Sequence, residues 1–95
     1  MSAIHERRYR LQREREIAQR RVRQTTLQYV ERYENIINDL VQQGLSQYVR
    51  EDIQLIQSQI DEIRSIATRN AFEARELSIQ VGQRIHALPR IARQL

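Results

Sequence analysis

The sequence predicts an all-α protein, a long antiparallel helical hairpin of coiled-coil type, on the strength of two observations. The first is a repeat: Val49, Ile53, Ile56, Ile60, Ile63, Ala67, Asn70, Ala74, Leu77 and Val81 alternate spacings of four and three, the a/d seam of helices that pack on helices. The second is the lack of punctuation. Two Gly and one Pro in 95 residues supply almost no turn chemistry, so strands and structured loops have little to form from.

The first helix is expected over about residues 3–43. Val22, Thr26, Tyr29, Tyr33, Ile36 and Leu40 repeat at the same spacing, Val30, Ile37 and Val41 widen the stripe, and Ile4, Leu11 and Ala18 extend a thinner seam at intervals of seven. Gly44 suits the left-handed residue just past a helix end, and Ser46 suits an N-cap, which puts a turn at 44–46. So short a connection makes the flanking helices antiparallel neighbours. The second helix is expected over about 47–88. Pro89 should stop or kink it, because the ring clashes with the preceding turn, and residues 90–95 could add one further turn. The whole chain, 1–95, is then a single hairpin domain about 60 Å long. Folding at Gly44 sets Leu40 beside Val49, Val22 beside Ala67 and Leu11 beside Leu77, while Asn70 falls at a d position where a buried amide fixes register.

The stripe is too wide for one partner helix. Apolar positions between Val22 and Val41 cover about 140° of the circumference, and Tyr48, Leu55 and Ile66 broaden the facing stretch. Pairing of two hairpins into a four-helix bundle is therefore expected, with a foreign helix as the other candidate occupant. The interface residues are Tyr29, Tyr33, Ile36, Ile37, Val41, Tyr48, Leu55 and Ile66, and Phe72 and Ile79, on the face away from the seam, make a second contact.

All sixteen basic residues are Arg, which keeps its charge and forks onto carboxylates and phosphates. Residues 5–23 hold eight Arg against Glu6, Glu14 and Glu16, a net of +5, residues 31–76 are net −4, and residues 77–95 are net +3. In a two-helix hairpin the termini meet, so the open end would carry +8 and attract an anionic partner. The anion-binding candidates are Arg7, Arg8, Arg13, Arg20, Arg21, Arg23, Arg84, Arg90 and Arg93. On a helical projection the N-terminal arginines surround the rod except at its apolar stripe, and only Tyr9 is available to stack on a base.

Catalytic constellations are absent from the sequence. There is no Cys, His5 and His86 have no second ligand at helical spacing, and Ser46, Ser58, Ser65 and Ser78 have no neighbouring base. Gly44 and Gly82 are too far apart for a phosphate loop, and no apolar run approaches the roughly 20 residues of a membrane span. The expected function is that of a non-enzymatic, cytoplasmic, oligomerising interaction or scaffold module with a basic open end, without metal or cofactor. The alternative is a nucleic-acid-binding accessory protein that grips phosphates through its Arg-rich N-terminal helix.

Overall fold

A computed structural model describes residues 3–94, with the side chains of Ile4 and His5 outside the described set. Among the described residues there are three α-helices and no strand: α1 (Ala3–Gln42), a 3₁₀ turn (Ser46–Val49), α2 (Arg50–Ala67) and α3 (Ala71–Gln94). The all-α expectation holds. The single second helix over 47–88 does not: it is broken at residues 68–70, and the chain folds there a second time.

The first turn follows from Gly44. It adopts φ 72°, its amide donates to the Val41 carbonyl at 3.1 Å, and the Leu45 amide donates to the Leu40 carbonyl at 2.9 Å. This pair of bonds is the Schellman closure, with Leu45 and Leu40 packed in the same apolar cluster, and it uses a backbone angle only glycine adopts freely. Ser46 is not the cap expected of it. It opens the 3₁₀ turn instead, without a side-chain cap bond at that turn's start, and α2 begins at Arg50.

The second turn is made without glycine. Asn70, expected inside the seam, is exposed and caps α3: its side-chain oxygen accepts from the Glu73 amide at 3.2 Å, and its carbonyl accepts from Ala74 at 3.1 Å. An Asn can satisfy a free helix-start N–H more cheaply than it can be buried, so capping wins over the register role. The end of α2 is closed from both sides. Arg69 and Asn70 amides donate to the Ile66 carbonyl, and the Thr68 hydroxyl donates to Ser65. Asn70→Ala is expected to lower stability by about 1 kcal/mol, read as a shift of the urea midpoint without a change in its slope; an unmoved midpoint would show that the cap contributes nothing.

The reason for the second fold lies in what each path would bury. A straight second helix would lay Val81, Ile85 and Leu88 against the Arg-rich start of α1, where the seam has thinned to single residues. Folded back, those three are 0, 0 and 3 % exposed, each stabilising by roughly 1.5–3 kcal/mol relative to exposure. Leu11, the expected neighbour of Leu77, is left 58 % exposed.

Helix directions follow from cross-helix contacts. Arg64 of α2 pairs with Glu34 of α1, the Tyr33 hydroxyl reaches Ser78 of α3, and Arg93 near the end of α3 reaches Gln43 at the end of α1 at 3.4 Å. So α2 runs back along α1 and α3 runs forward again. The buried face of α3 includes Ala71, Ala74, Ser78, Gly82 and Ala92, and these small side chains let its backbone approach both neighbours closely, whereas α1 and α2, separated by the Ile residues of α2, stand further apart. Pro89 neither ends the helix nor detaches residues 90–94 from the bundle. The helix continues to Gln94 because Leu88 and Ala92, on either side of the ring, are buried in the core.

Candidate interaction surface

α1 is longer than the bundle it belongs to. Arg23 is bonded to the α2–α3 turn, its guanidinium donating to the Ala67 carbonyl, and the molecule is elongated, with principal-axis extents of 67 × 16 × 15 Å. Every side chain from Glu6 to Ala18 is exposed. Residues 3–21 form a helical arm, about 28 Å long at ~1.5 Å per residue.

The arm carries the charge. Residues 3–21 hold seven Arg against Glu6, Glu14 and Glu16, a net of +4, whereas residues 22–95 hold nine Arg against nine acids and are neutral. Among the described residues the two salt bridges are Arg64 with Glu34 and Arg75 with Glu76, both in the bundle, so the arginines of the arm are open to an outside anion. Arg10 and Arg15, absent from the candidates named above, lie on the arm with Arg7, Arg8, Arg13, Arg20 and Arg21 and belong to the same surface. The net charge of the segment already included them.

The structure separates the other candidates. With α3 folded back, Arg90 and Arg93 lie at the far end, near Gln43, and Arg84 beside Asp52 and Leu55 of α2. There is no +8 end. Arg23 is structural: it is half-buried and closes the last carbonyl of α2, where the helix dipole places negative charge, so it does not simply point away from the packed face. His86, far from the arm, packs edge-on against Tyr33, ring centroids 6.2 Å apart at 86°.

Of the expected oligomer interface, Tyr33, Ile37 and Ile66 are buried in the chain's own core and Ile36 packs against it. The third helix covers part of the width that a second hairpin was expected to fill. Tyr29, Val41, Tyr48, Leu55, Phe72 and Ile79 remain exposed, with the guanidinium of Arg32 over Tyr29 at 5.5 Å and that of Arg75 over Phe72 at 5.7 Å.

Tyr33 is the most constrained of these side chains. Its hydroxyl donates to the Ser78 carbonyl at 2.9 Å in the space left by the missing side chain of Gly82, where a Cβ would lie 2.5 Å from that oxygen. Burial, and secondarily Tyr29, raise its pKa above the usual tyrosine value, so it stays a donor at neutral pH. Nothing in the spacing of the sequence announced this contact.

Thr26, by contrast, is buried with its hydroxyl oxygen unpartnered. A buried hydroxyl without a hydrogen bond costs about 1–3 kcal/mol, so the isosteric Thr26→Val is expected to raise stability by about 1 kcal/mol. Thermal melting measures it, and a lower midpoint would mean the hydroxyl has a partner.

No family model matches this sequence, and neither curated proteins nor solved structures give a match. The reading of the surface therefore rests on its own chemistry. Shallow grooves run between the helices, one lined by Leu55, Ala87 and Ile91, another by Glu34, Asp61 and Arg64. Among the described residues no group of three or more His, Asp or Glu could hold a metal ion, and no helix is long and apolar enough to cross a membrane.

Proposed function

We propose that this chain is a non-enzymatic interaction module in which a three-helix bundle holds out an Arg-rich helical arm to an anionic partner. The observation that carries the reading is the division of charge along one continuous helix: the arm is net +4 while residues 22–95 are neutral. A positive charge concentrated on a slender projection raises the local concentration of anions and speeds their encounter. The bundle supplies a rigid origin for the arm, and the arm supplies the contact.

Retention on a heparin column tests it. The wild-type chain is expected to bind at low salt and elute as salt rises, and a variant with Arg8, Arg13, Arg15 and Arg20 all replaced by Gln is expected to flow through with its melting temperature unchanged. Equal elution of the two proteins would overturn the proposal.

Self-association is the second reading, supported by the exposed Val41, Tyr48, Leu55, Phe72 and Ile79. It draws less on the width of the α1 stripe, which α3 fills in part, leaving Tyr29 and Val41 exposed. Sedimentation equilibrium decides between the two: a dimer dissociated by Leu55→Ser or Phe72→Ser carries this reading, and a monomer at all concentrations ends it.

A further inference from the structure

We infer that the arm's partner is double-stranded DNA, with the arm lying in the major groove between the two phosphate walls. The inference rests on the proposal that the arm binds an anion, and it concerns the shape of that anion. At about 100° per residue, the arginines of residues 3–21 are spread over roughly 240° of the helix circumference. Arg8 and Arg15 lie on one flank, Arg13 and Arg20 on another about 140° away, and Arg10, Arg21 and Arg7 between them on the side that avoids the Gln12 and Gln19 face.

A flat partner cannot use this arrangement. A bilayer or an acidic protein face meets less than half of a helix's circumference, and would leave in water either one flank or the Arg10, Arg21 and Arg7 side. An acidic helix would also need an apolar strip to bury. Among the described side chains the arm offers Leu11 and Ala18 in line, with Ile17 on a different side, all exposed.

A groove meets a helix on three sides. The major groove of B-form DNA is about 12 Å wide, an α-helix with its side chains is about 10–12 Å across, and phosphates line both walls. The arm, about 28 Å long, spans most of one duplex turn of about 34 Å. Double-stranded RNA is a poorer fit, because its major groove is deep and narrow. Single strands are poorer still: Tyr9 is the one aromatic residue on the arm, and a single-strand platform needs several on which bases stack.

Fluorescence anisotropy with the full chain tests this against four probes: a 20-base-pair DNA duplex, an RNA duplex of the same length, a single-stranded DNA, and vesicles of phosphatidylserine and phosphatidylcholine. The DNA duplex is expected to bind tightest, with little dependence on sequence and a log–log salt slope of about −5. Arg8→Gln with Arg15→Gln, Arg13→Gln with Arg20→Gln, and Arg10→Gln with Arg21→Gln, each pair made separately, should each flatten that slope by about two, since a groove contacts all three sides. Circular dichroism and melting should match the wild type, because these positions lie outside the bundle.

A loss confined to one or two of these three sides would overturn the groove and show a flat partner. Tighter binding to vesicles, to the RNA duplex or to the single strand would overturn DNA while leaving the basic-arm proposal standing. Binding to none of the four, together with no retention on heparin, would overturn both.

Discussion

Ile60→Asp is expected to unfold the bundle. Ile60 is 2 % exposed and sits in the middle of the Ile layers of α2, between Ile56 and Ile63, and Arg64, which lines the same groove, is already paired with Glu34. The substitution removes the transfer energy of a full aliphatic side chain and buries a carboxylate without a partner, a combined loss of about 4 kcal/mol or more. Domains of this size have a total stability near 5–15 kcal/mol, so most of the margin goes. Leu55→Asp, five residues earlier on the same helix but 48 % exposed, should cost less than about 1 kcal/mol. Urea titration followed at 222 nm compares the two. Near-equal midpoints would mean that the buried face of α2 has been assigned wrongly.

Gly82→Ala should destabilise the chain although alanine is the better helix former. Alanine gains about 0.5–1 kcal/mol in a helix interior, but here its methyl would lie 2.5 Å from the Tyr33 hydroxyl oxygen. The ring must shift and its bond to Ser78 is lost, with overpacking and the lost bond together costing roughly 2–4 kcal/mol. The net expectation is a loss of about 2 kcal/mol. The decisive measurement is the double variant. Tyr33→Phe removes the clashing oxygen, so Tyr33→Phe with Gly82→Ala should be more stable than Gly82→Ala alone, even though Tyr33→Phe by itself lowers stability by about 1 kcal/mol. Simple additivity of the two changes would show that the close approach is not what Gly82 provides.

The repeat in the sequence told which residues face inward far better than it told which way the helices run. Val30, Ile37, Leu40, Ile53, Ile56, Ile60, Ile63, Ala74 and Val81 all belong to the buried cluster, and Gly44 closes α1 as its backbone freedom suggested. The a/d phase passes through Thr68, Arg69 and Asn70 unbroken, because two helices facing one common core preserve the phase that a straight rod would also show. Periodicity records a face, not a direction. One signal for the break was present: Asn70 followed by Glu73 three residues later is the pattern of a helix start, and it competed with a heptad position that an Asn can also occupy. The arm was visible as charge but was placed wrongly. Its isolation depends on α3 folding back along the other half of α1, and that depends on the relative burial of Val81, Ile85 and Leu88 along two paths.

The continuity of α1 across the edge of the bundle makes the folded domain a nucleus for the arm. A free peptide with the sequence of residues 3–21 would first have to close a helical turn, an event with a statistical weight of about 10⁻³, or roughly 4 kcal/mol, and at that length would be mostly coil in water. Attached to α1, it only propagates a helix that core packing has already begun. Helicity should therefore decay from the bundle outward, and amide exchange should grade from global-unfolding protection near Val30 to fraying near Glu6. A partner that orders the distal turns would extend an existing helix instead of starting one, and because the arm shares its backbone with the core, its direction is set by the packing of Tyr33, Ile37 and Leu40 far from any contact it makes.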